Sequence, residues 1–389
     1  MSTDNKKIAI ATFHCAKNYG AFLQAFALQE WIKMRYGNKY SVLIVDYRPN
    51  FLIEPYKINI KRRVLAQKSL SGKIKALIIS GVEFPYKVKK KTNFSTAQKK
   101  LSLTDPRYND QDMLDDTYSA LIVGSDQVWN TRLTQGVDHV FWGRIAPDSC
   151  RCISYAASVA LSEYPDTQKD NIRYALSNMY CIGVREHQSV DILRPLCETE
   201  IEVNADPTML VNPSFWYEYL RPIRKKDYIL VYMVRPDDRM MQDAHSIAKR
   251  YNKKILHFGD PSIRPRFTDV PVKSLAYCGP FEFISYIANA DLVLTDSFHA
   301  TCFSIIFKRR FYDYLQLSRS ERLRTLAATG CFEDRLLEHS IRLNEGQISA
   351  LFDGPDPDYT EKFTISRKQS EDYLTNALEG IDYEPIKNN

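Results

Sequence analysis

Several short stretches of the sequence place chemically active side chains directly after apolar runs that have the length of buried strands. In one of them, Ser297 and His299 lie between the apolar run 292–294 and a helix predicted over Ala300 to Phe307. The first N–H groups of a helix and the positive end of its dipole bind anions. The position of His299 therefore predicts an anion site at the end of a strand.

A second stretch, LIVGSDQVWN, combines an aromatic ring with small and polar side chains after a strand. An aromatic face can stack on a pyranose ring, while amides and carboxylates hydrogen-bond its hydroxyls. We interpret this loop as a sugar site; the alternative is a capping Asp126 with Trp129 packed in the core. The residues concerned are Ser125, Asp126, Gln127, Trp129 and Asn130.

Two further strand ends carry candidate binding groups. Arg185 ends the stretch CIGVR and could bind a carboxylate or phosphate through both guanidinium nitrogens, although it could instead form an ion pair with Glu186 or another carboxylate. In NYGAFLQ, Asn18 and Gly20 lie in a strand-to-helix loop and Gln24 lies one turn into the helix. Gly20 allows close approach to a phosphate or a sugar, or it serves only to turn the chain.

The elements that carry these residues alternate between strands and helices. An opening strand–helix–strand unit is followed by strand-like runs at ALIVGS, CISYAAS, CIGVRE and IEVNADP, and a second alternation starts after residue 206. Alternation of this kind is typical of parallel α/β sheets, in which ligands bind at the carboxyl edge. We therefore predict an α/β fold of two Rossmann-like domains facing a cleft, over residues 1–206 and 207–389.

One segment of the first predicted domain, about residues 51–94, differs from this alternation. Between residues 57 and 91 it contains eleven Lys or Arg residues, and apolar residues recur among them at helical spacing. A basic amphipathic helix suits an anionic membrane surface. The alternative is a solvated insertion whose apolar face packs on the domain.

Composition limits the classes of protein. Of 389 residues, 44% are hydrophobic and 26% are charged, as in ordinary globular proteins, and the net charge of +6 is too small to indicate nucleic-acid binding. The eight cysteines show no zinc-site spacing, so we expect free thiols in a reducing compartment and no metal. No apolar run approaches the roughly 20 residues that span a bilayer, and we expect a cytoplasmic protein.

Six motifs follow one another along residues 12–307: TFHCAKNYGAFLQAFALQ, VGSDQVWN, SYAAS, GVRE, DPTML and TDSFHATCFSIIF. Together they resemble the polysaccharide pyruvyl transferase family. The resemblance implies a GT-B-like fold, in which the helical tail, here from Asp358 to Ile381, commonly crosses back to the first domain. It also implies transfer of the enolpyruvyl group of phosphoenolpyruvate to two hydroxyls of a sugar, which forms a cyclic ketal and releases phosphate.

The resemblance assigns candidate roles residue by residue. His299 matches the family's motif histidine and Arg185 its motif arginine, and both are implied to bind phosphoenolpyruvate. The family often has glycine where this chain has Ala300. The segment RSERLRTLAATG resembles a downstream Ser-Arg segment of the family. The implied donor-binding residues are Arg185, Ser297, His299, Ala300, Ser320 and Arg322.

The implied chemistry needs a general acid and a base but neither a metal nor a cofactor. A histidine near neutral pKa suits protonation of the methylene carbon, so His299 is the expected acid, unless it only positions the donor. Asp126 is the expected base, with Glu186 as the alternative, and Arg185 is the third expected catalytic residue. The expected acceptor-binding residues are Asn18, Gly20, Gln24, Ser125, Asp126, Gln127, Trp129 and Asn130.

These expectations combine into one functional hypothesis. The chain is expected to be a pyruvyltransferase at the inner face of the membrane, acting on a hexose such as galactose on a polyprenyl-linked saccharide in capsular or exopolysaccharide biosynthesis. Its expected partners are phosphoenolpyruvate, this saccharide and an anionic membrane surface, but not nucleic acid. The alternatives are a nucleotide-sugar glycosyltransferase of GT-B-like fold and a non-catalytic saccharide- or phosphate-binding protein.

Overall fold

The computed structural model describes residues 6–57, 60–67, 69–259, 269–316 and 320–381, and in these ranges it contains twelve strands, fourteen α-helices and four short 3₁₀-helices. The strands are β1 (Lys7–Ala11), β2 (Ser41–Ile44), β3 (Tyr118–Val123), β4 (Arg151–Ala157), β5 (Cys181–Val184), β6 (Ile201–Val203), β7 (Tyr228–Tyr232), β8 (Lys254–His257), β9 (Val272–Ser274), β10 (Leu292–Thr295), β11 (Phe311–Tyr314) and β12 (Leu336–Leu337). The helices are α1 (Tyr19–Tyr36), α2 (Asn50–Ile53), α3 (Ile60–Leu65), α4 (Leu70–Gln98), α5 (Asp166–Ser177), α6 (His187–Leu193), α7 (Pro207–Leu210), α8 (Pro213–Tyr217), α9 (Asp238–Arg250), α10 (Pro280–Ala288), α11 (Phe298–Ile306), α12 (Glu321–Gly330), α13 (Glu345–Ser349) and α14 (Phe363–Leu378).

The first sheet has six parallel strands in the order β2-β1-β3-β4-β5-β6. Strand β1 lies between β2 and β3, with Ile8 opposite both Val42 and Ala120. Its apolar residues Ile8 and Ile10 are buried completely, as expected for a central strand of a parallel sheet. All six strands end at the same edge, so the residues that follow them lie along one line.

The second sheet also has six parallel strands, in the order β12-β11-β10-β7-β8-β9. Strand β10 pairs with β7 through Leu292 and Ile229, and with β11 through Val293 and Phe311. Helix α9 packs on this sheet with Met240 and other apolar residues in a continuous core. The prediction of two α/β domains with parallel sheets is confirmed.

Helix α11 begins earlier than the sequence predicts. The prediction starts the helix at Ala300, whereas the structure starts it at Phe298 with Ser297 as its N-cap. The Ser297 side chain accepts a hydrogen bond from the backbone N–H of Ala300, which satisfies one of the first helical donors. His299 therefore lies inside the first turn rather than before it.

The chain forms two compact units whose composition differs from the predicted domains. The first comprises Met1–Pro55, Lys99–Asn212 and Lys362–Asn389, and the second comprises Tyr56–Gln98 and Pro213–Glu361. Helix α4 of the predicted insertion belongs to the second unit, because Asn93 donates a hydrogen bond to the carbonyl of Tyr277 at 2.8 Å. Helix α14 belongs to the first unit, because the Tyr373 hydroxyl donates to the carbonyl of Ser154 at 2.7 Å.

No helix in the described ranges is long and apolar enough to cross a membrane.

Candidate active site

The carboxyl edge of the first sheet gathers polar side chains from all six strands. Because the strands are parallel, the residues that follow them lie along the same edge. The side chains concerned are Thr12 and His14 after β1, Asp46 after β2, Ser125 and Asp126 after β3, Ser158 after β4, Arg185 and Glu186 after β5, and Asp206 after β6.

Arg185 is buried among three carboxylates. Its Nη1 donates to Oδ2 of Asp206 at 2.8 Å, its Nη2 lies 3.5 Å from Oδ1 of Asp126, and its Nε lies 3.9 Å from Oε2 of Glu186. Burial opposes the charged form, but the three carboxylates together raise the pKa of Arg185 above its usual value. The ion pair that the sequence left as an alternative is therefore present in the structure.

The loop after β3 brings Asp126 close to Arg185, and the backbone of this loop packs closely against the backbone of β4. A Cβ atom on Gly124 would lie 2.2 Å from the carbonyl oxygen of Tyr155, so only glycine fits there. Asp126 follows with φ of 72°, and its side chain accepts from the backbone N–H of Gln127 at 2.9 Å. Asp126 is 8% exposed, against 1% for Glu186, so Asp126 is the more accessible of these two candidate bases.

Two of the predicted sugar contacts in this loop, Trp129 and Ser125, are completely buried. Trp129 is completely buried, stacks on Trp142 with ring centroids 5.0 Å apart, and donates from Nε1 to the carbonyl of Phe141. Its ring fills the core, as the alternative interpretation held, and offers no face to a sugar. Ser125 is also completely buried, and its hydroxyl donates to the carbonyl of Ala156 at 3.0 Å.

Gln127 and Asn130 stabilise this loop by a hydrogen bond between their side chains. The Asn130 amide donates to Oε1 of Gln127 at 3.0 Å, while Asn130 Oδ1 accepts from the backbone N–H of Leu133. Asn130 is buried and Gln127 is half-buried. Gln127 is therefore the more accessible of the two predicted acceptor contacts.

The three predicted residues of the β1–α1 loop have different surroundings. Asn18 is exposed and caps α1, since its side chain accepts from the backbone N–H of Ala21 at 3.2 Å. Gln24 is completely buried and donates to the hydroxyl of Thr12 at 2.8 Å and to the carbonyl of Ala21. Its amide therefore supports the loop, because α1 is buried on all sides here, and the predicted contact of Gln24 with a sugar remains a prediction. Gly20 is buried in the first turn of α1.

A histidine–carboxylate pair at this edge was missed by the sequence reasoning. His14 Nε2 lies 2.9 Å from Oδ1 of Asp46, and Arg48 donates to both oxygens of Asp46 at 2.7 Å. Burial opposes ionisation, but the hydrogen bonds from His14 and Arg48 lower the pKa of Asp46. A signal existed, because His14 and Asp46 follow neighbouring parallel strands in a strand–helix–strand unit.

At the carboxyl edge of the second sheet, the N-terminal turn of α11 holds His299. Its ring is 8% exposed and meets the ring of Phe298 edge-on, at 5.3 Å between centroids. The guanidinium carbon of Arg322 lies 5.8 Å from the centre of the Phe298 ring. The structure thus brings Arg322 to the helix turn that carries His299, together with Ser297 and Ala300, although Ala300 is completely buried.

Ser320 is placed next to Arg322 but has a structural contact of its own. It precedes helix α12, does not cap it, and donates its hydroxyl to the carbonyl of Gln316. Ser320 is half-buried. Its predicted binding of the donor remains a prediction.

A buried carboxyl group supports the start of α11 from beneath. Asp313 on β11 is completely buried, and its two oxygens lie 2.8 and 2.9 Å from the hydroxyl of Thr301. Burial raises the pKa of Asp313 well above its usual value, and the charge of Asp296 adds to the increase. Asp296 itself accepts from the backbone N–H groups of Val234 and Arg235.

Comparison with known proteins identifies the family. The model of the family described as polysaccharide pyruvyl transferase matches residues 18–312. The chain belongs to this family. The matched range includes Asp126, Arg185 and His299 and ends before Ser320 and Arg322.

Several solved structures are similar to this family member along almost the whole chain. A UDP-GlcNAc 2-epimerase from Methanocaldococcus jannaschii is 12% identical, with 95% of this chain and 99% of the other covered and a TM-score of 0.47. A putative UDP-N-acetylglucosamine 2-epimerase from Listeria monocytogenes is 10% identical, with 97% and 98% covered and a TM-score of 0.48. The glycosyltransferase SnogD from Streptomyces nogalater is 11% identical, with 96% and 99% covered and a TM-score of 0.42. No curated protein sequence matched.

Proposed function

We propose that this polysaccharide pyruvyl transferase takes phosphoenolpyruvate as donor and transfers its enolpyruvyl group to two hydroxyls of one sugar. The observation that carries the proposal is the position of His299 in the first turn of α11, at the carboxyl edge of a parallel sheet. The N-terminus of a helix attracts an anionic substrate that carries a phosphate and a carboxylate group. The imidazole of His299 can supply a proton in the same turn.

In the proposed reaction His299, as imidazolium, gives a proton to the methylene carbon of phosphoenolpyruvate, and the neighbouring carbon becomes an oxocarbenium-like centre. One sugar hydroxyl attacks this carbon and loses its proton, after which the C–O bond to phosphate breaks. A second hydroxyl of the same sugar then attacks and loses its proton, closing the ketal. Of the two hydroxyl protons, one restores the imidazolium and the other leaves with the phosphate, so no metal or cofactor is needed.

We assign to Asp126 the removal of the proton from the attacking sugar hydroxyl, and this proton then passes to the phosphate that leaves. Glu186 is the weaker candidate, because its Oε1 already accepts from Ser158 at 2.7 Å and from Ser189 at 2.6 Å. Arg185 keeps its predicted role in binding the donor, and its ion pair with Asp126 also fixes the direction of that carboxylate. Arg322, beside Phe298, is the proposed second cation for the donor phosphate.

The proposed acceptor is a hexose such as galactose on a polyprenyl-linked saccharide, in the synthesis of a capsular polysaccharide or an exopolysaccharide. The residues that support acceptor binding are Asn18, which is exposed, Gln127, which is half-buried, and Asp126, which is 8% exposed. The hydroxyl-bonding groups expected for a sugar are amides and carboxylates of this kind.

Phosphate release from phosphoenolpyruvate, measured with and without lipid-linked saccharides that end in different hexoses, tests the proposal. We expect release only with an acceptor, and a ketal carbon in the ¹³C NMR spectrum of the product. His299→Ala should lower the rate by at least about 100-fold, since general acid catalysis contributes factors of this size. Arg185→Ala should weaken use of the donor.

His245→Ala is the matched control. His245 lies on α9, where it pairs with Asp269, and its loss should leave the rate unchanged. A thermal shift with nucleotides but none with phosphoenolpyruvate would instead support a nucleotide-sugar glycosyltransferase. If phosphoenolpyruvate binds but His299→Ala is as active as the parent, the assignment of the acid is wrong.

A further inference from the structure

Helix α4 exposes its apolar side chains to solvent. Leu70 is 75% exposed, Ile74 53%, Leu77 58% and Ile78 62%, and Val88 near the middle of the helix is 40% exposed. Single exposed apolar residues are common on protein surfaces, but a contiguous group of them marks an interaction site. The alternative in which the apolar face of this segment packs on the protein is therefore wrong.

The spacing of these residues places them on one side of the helix. Positions 70, 74, 77, 78, 85 and 88 follow one another at steps that return to the same face, and this apolar stripe is about 27 Å long at 1.5 Å per residue. The buried residues Ala76, Ser80 and Glu83 lie on the opposite side. Along the stripe the helix thus packs through small and polar residues and presents its apolar side chains outward, whereas beyond the stripe Phe94 is completely buried.

The C-terminal part of α4 anchors this arrangement. Besides the hydrogen bond from Asn93 to Tyr277, Lys89 places its Nζ 4.5 Å from the centre of the Tyr277 ring, and Tyr86 contacts the same ring. Helix α4 also packs against α3 and α10. The apolar stripe is therefore held on a fixed element of the second unit.

The charge around the stripe is almost entirely positive. Residues 57–98 include eleven Lys or Arg and one acidic residue, Glu83, which gives 11 − 1 = +10. Glu83 is buried and forms an ion pair with Lys87. Lys75, Lys89 and Lys91 are exposed. Anionic lipid headgroups attract basic side chains that flank an apolar stripe.

We propose that α4 lies in the plane of an anionic phospholipid bilayer, with Leu70, Ile74, Leu77, Ile78 and Val88 in the acyl boundary and the lysines among the headgroups. Composition favours a bilayer over a protein partner. Protein interfaces are enriched in aromatic residues and Arg and depleted in Lys, whereas the exposed apolar side chains of α4 are aliphatic except for Phe84 and are flanked by Lys. The docking does not depend on the proposed pyruvyl transfer.

Co-sedimentation of the full-length protein with vesicles tests the docking. We expect binding to phosphatidylcholine vesicles in which about a third of the lipid is phosphatidylglycerol, and loss of binding at about 0.5 M salt. The variant Ile74→Ser/Leu77→Ser/Ile78→Ser should lower partitioning at least about tenfold, because it removes apolar burial but no charge. Because these vesicles hold neither saccharide nor phosphoenolpyruvate, the result is independent of catalysis.

The matched control removes the same kind of side chain elsewhere. Met34→Ser/Ile341→Ser/Ile365→Ser changes three exposed apolar residues outside α4 and should bind vesicles like the parent. Circular dichroism of both triple variants should match that of the parent, which separates lost docking from lost folding. Equal vesicle binding by the α4 variant and the parent would overturn the proposal.

A tryptophan in the stripe reports insertion directly. The four native tryptophans, Trp31, Trp129, Trp142 and Trp216, are each at most 1% exposed, so brominated lipids should not quench them. Leu77→Trp should be quenched by brominated phospholipid in anionic vesicles, whereas Ile365→Trp should not. Absence of quenching, or a dimer of the parent that the α4 triple variant converts to a monomer, would show that the stripe does not dock on a bilayer.

Discussion

At the scale of single residues, His14, Asp46 and Arg48 show how this sheet edge holds buried charge. The Asp46 carboxylate accepts hydrogen bonds from the His14 imidazole and from two nitrogens, Nε and Nη2, of the Arg48 guanidinium. His14 and Asp46 are each 2% exposed. A buried carboxylate is tolerated only where such donors replace water. The three residues therefore fix the loop after β1, which leads into the start of α1.

We expect Asp46→Asn to destabilise the protein by about 2 kcal/mol at neutral pH, the usual value of hydrogen bonds to a charged group. Since the pKa of Asp46 is lowered on folding, its contribution is complete above the unfolded pKa of about 3.9 and is lost as the pH falls through the folded pKa. Urea unfolding of parent and variant across this range should show their difference shrinking in acid. Asp191→Asn, at an exposed position on α6, controls for the charge change. A difference that grows in acid would contradict the assignment.

The residue types and their positions after strands could be predicted from the sequence, but their burial could not. Asp126 and Arg185 lie at a sheet edge as predicted, because strand ends are visible as the ends of apolar runs. The same pattern could not distinguish a Trp129 that contacts solvent from one that stacks on Trp142. That choice depends on residues 13 positions apart in a loop without periodicity.

At the scale of elements, β11 and α11 are joined by hydrogen bonds that involve Asp313, Thr301 and the backbone carbonyl of Ser297. The Thr301 hydroxyl lies 2.8 Å from Oδ1 of Asp313 and 3.1 Å from the carbonyl of Ser297, the N-cap of the helix. This chain of hydrogen bonds runs from the sheet to the turn that carries His299. It requires the protonated acid, because the threonine hydroxyl has only one proton to give.

Asp313→Asn should show the opposite pH dependence to Asp46→Asn. Because the pKa of Asp313 is raised on folding, its contribution is complete below the unfolded pKa of about 3.9 and is lost as the pH rises through the folded pKa. Relative to the parent, the free energy of unfolding of the variant should rise by about 1.4 kcal/mol for each pH unit between the unfolded and the folded pKa of Asp313. Urea unfolding from acid to neutral pH measures this difference, and a difference that is constant with pH would show that folding does not raise the pKa of Asp313.

Element type was predictable where periodicity was strong, as in the basic segment that forms α4. Which side of that helix is buried was not predictable, because the apolar stripe is the natural candidate for packing. The structure instead buries Ala76 and Ser80 and exposes Leu77. An amphipathic pattern specifies a face but not whether protein or another apolar phase covers it.

At the scale of the whole molecule, neither of the two units is formed by one continuous segment of the chain. The sequence marks the start of the second alternation near residue 207, and the structure divides nearby, after Asn212. The predicted bounds place α4 in the first domain and α14 in the second, whereas the structure assigns α4 to the second unit and α14 to the first, as the resemblance to GT-B-like folds implied for the tail. Both elements join their units through contacts with residues far along the chain. Periodicity carries no information about such contacts.

Helix α14 is the clearest case of an element that packs with residues much earlier in the chain. Ser370 accepts from the backbone N–H of Ala205 at 2.8 Å, and Arg151 donates to the carbonyl of Ala377 at 2.9 Å. Leu374 is completely buried. The first unit, which contains the residue proposed as base, thus needs α14, the last helix of the described residues, to complete its core.

A chain that ends at Glu361 should therefore lose the first unit although every strand of both sheets remains. Removing α14 takes away the buried side chains of Phe363, Leu374 and Leu378 and exposes the surface that they cover. Leu374→Ala alone should cost about 3 kcal/mol, as for other buried leucines. Thermal unfolding and limited proteolysis should show cleavage within residues 99–212 at temperatures where the full chain resists. A chain that ends after Gly380 retains α14 and should behave like the full chain. If the chain ending at Glu361 resists proteolysis equally, the first unit folds without its C-terminal helix, and α14 is only an addition to it.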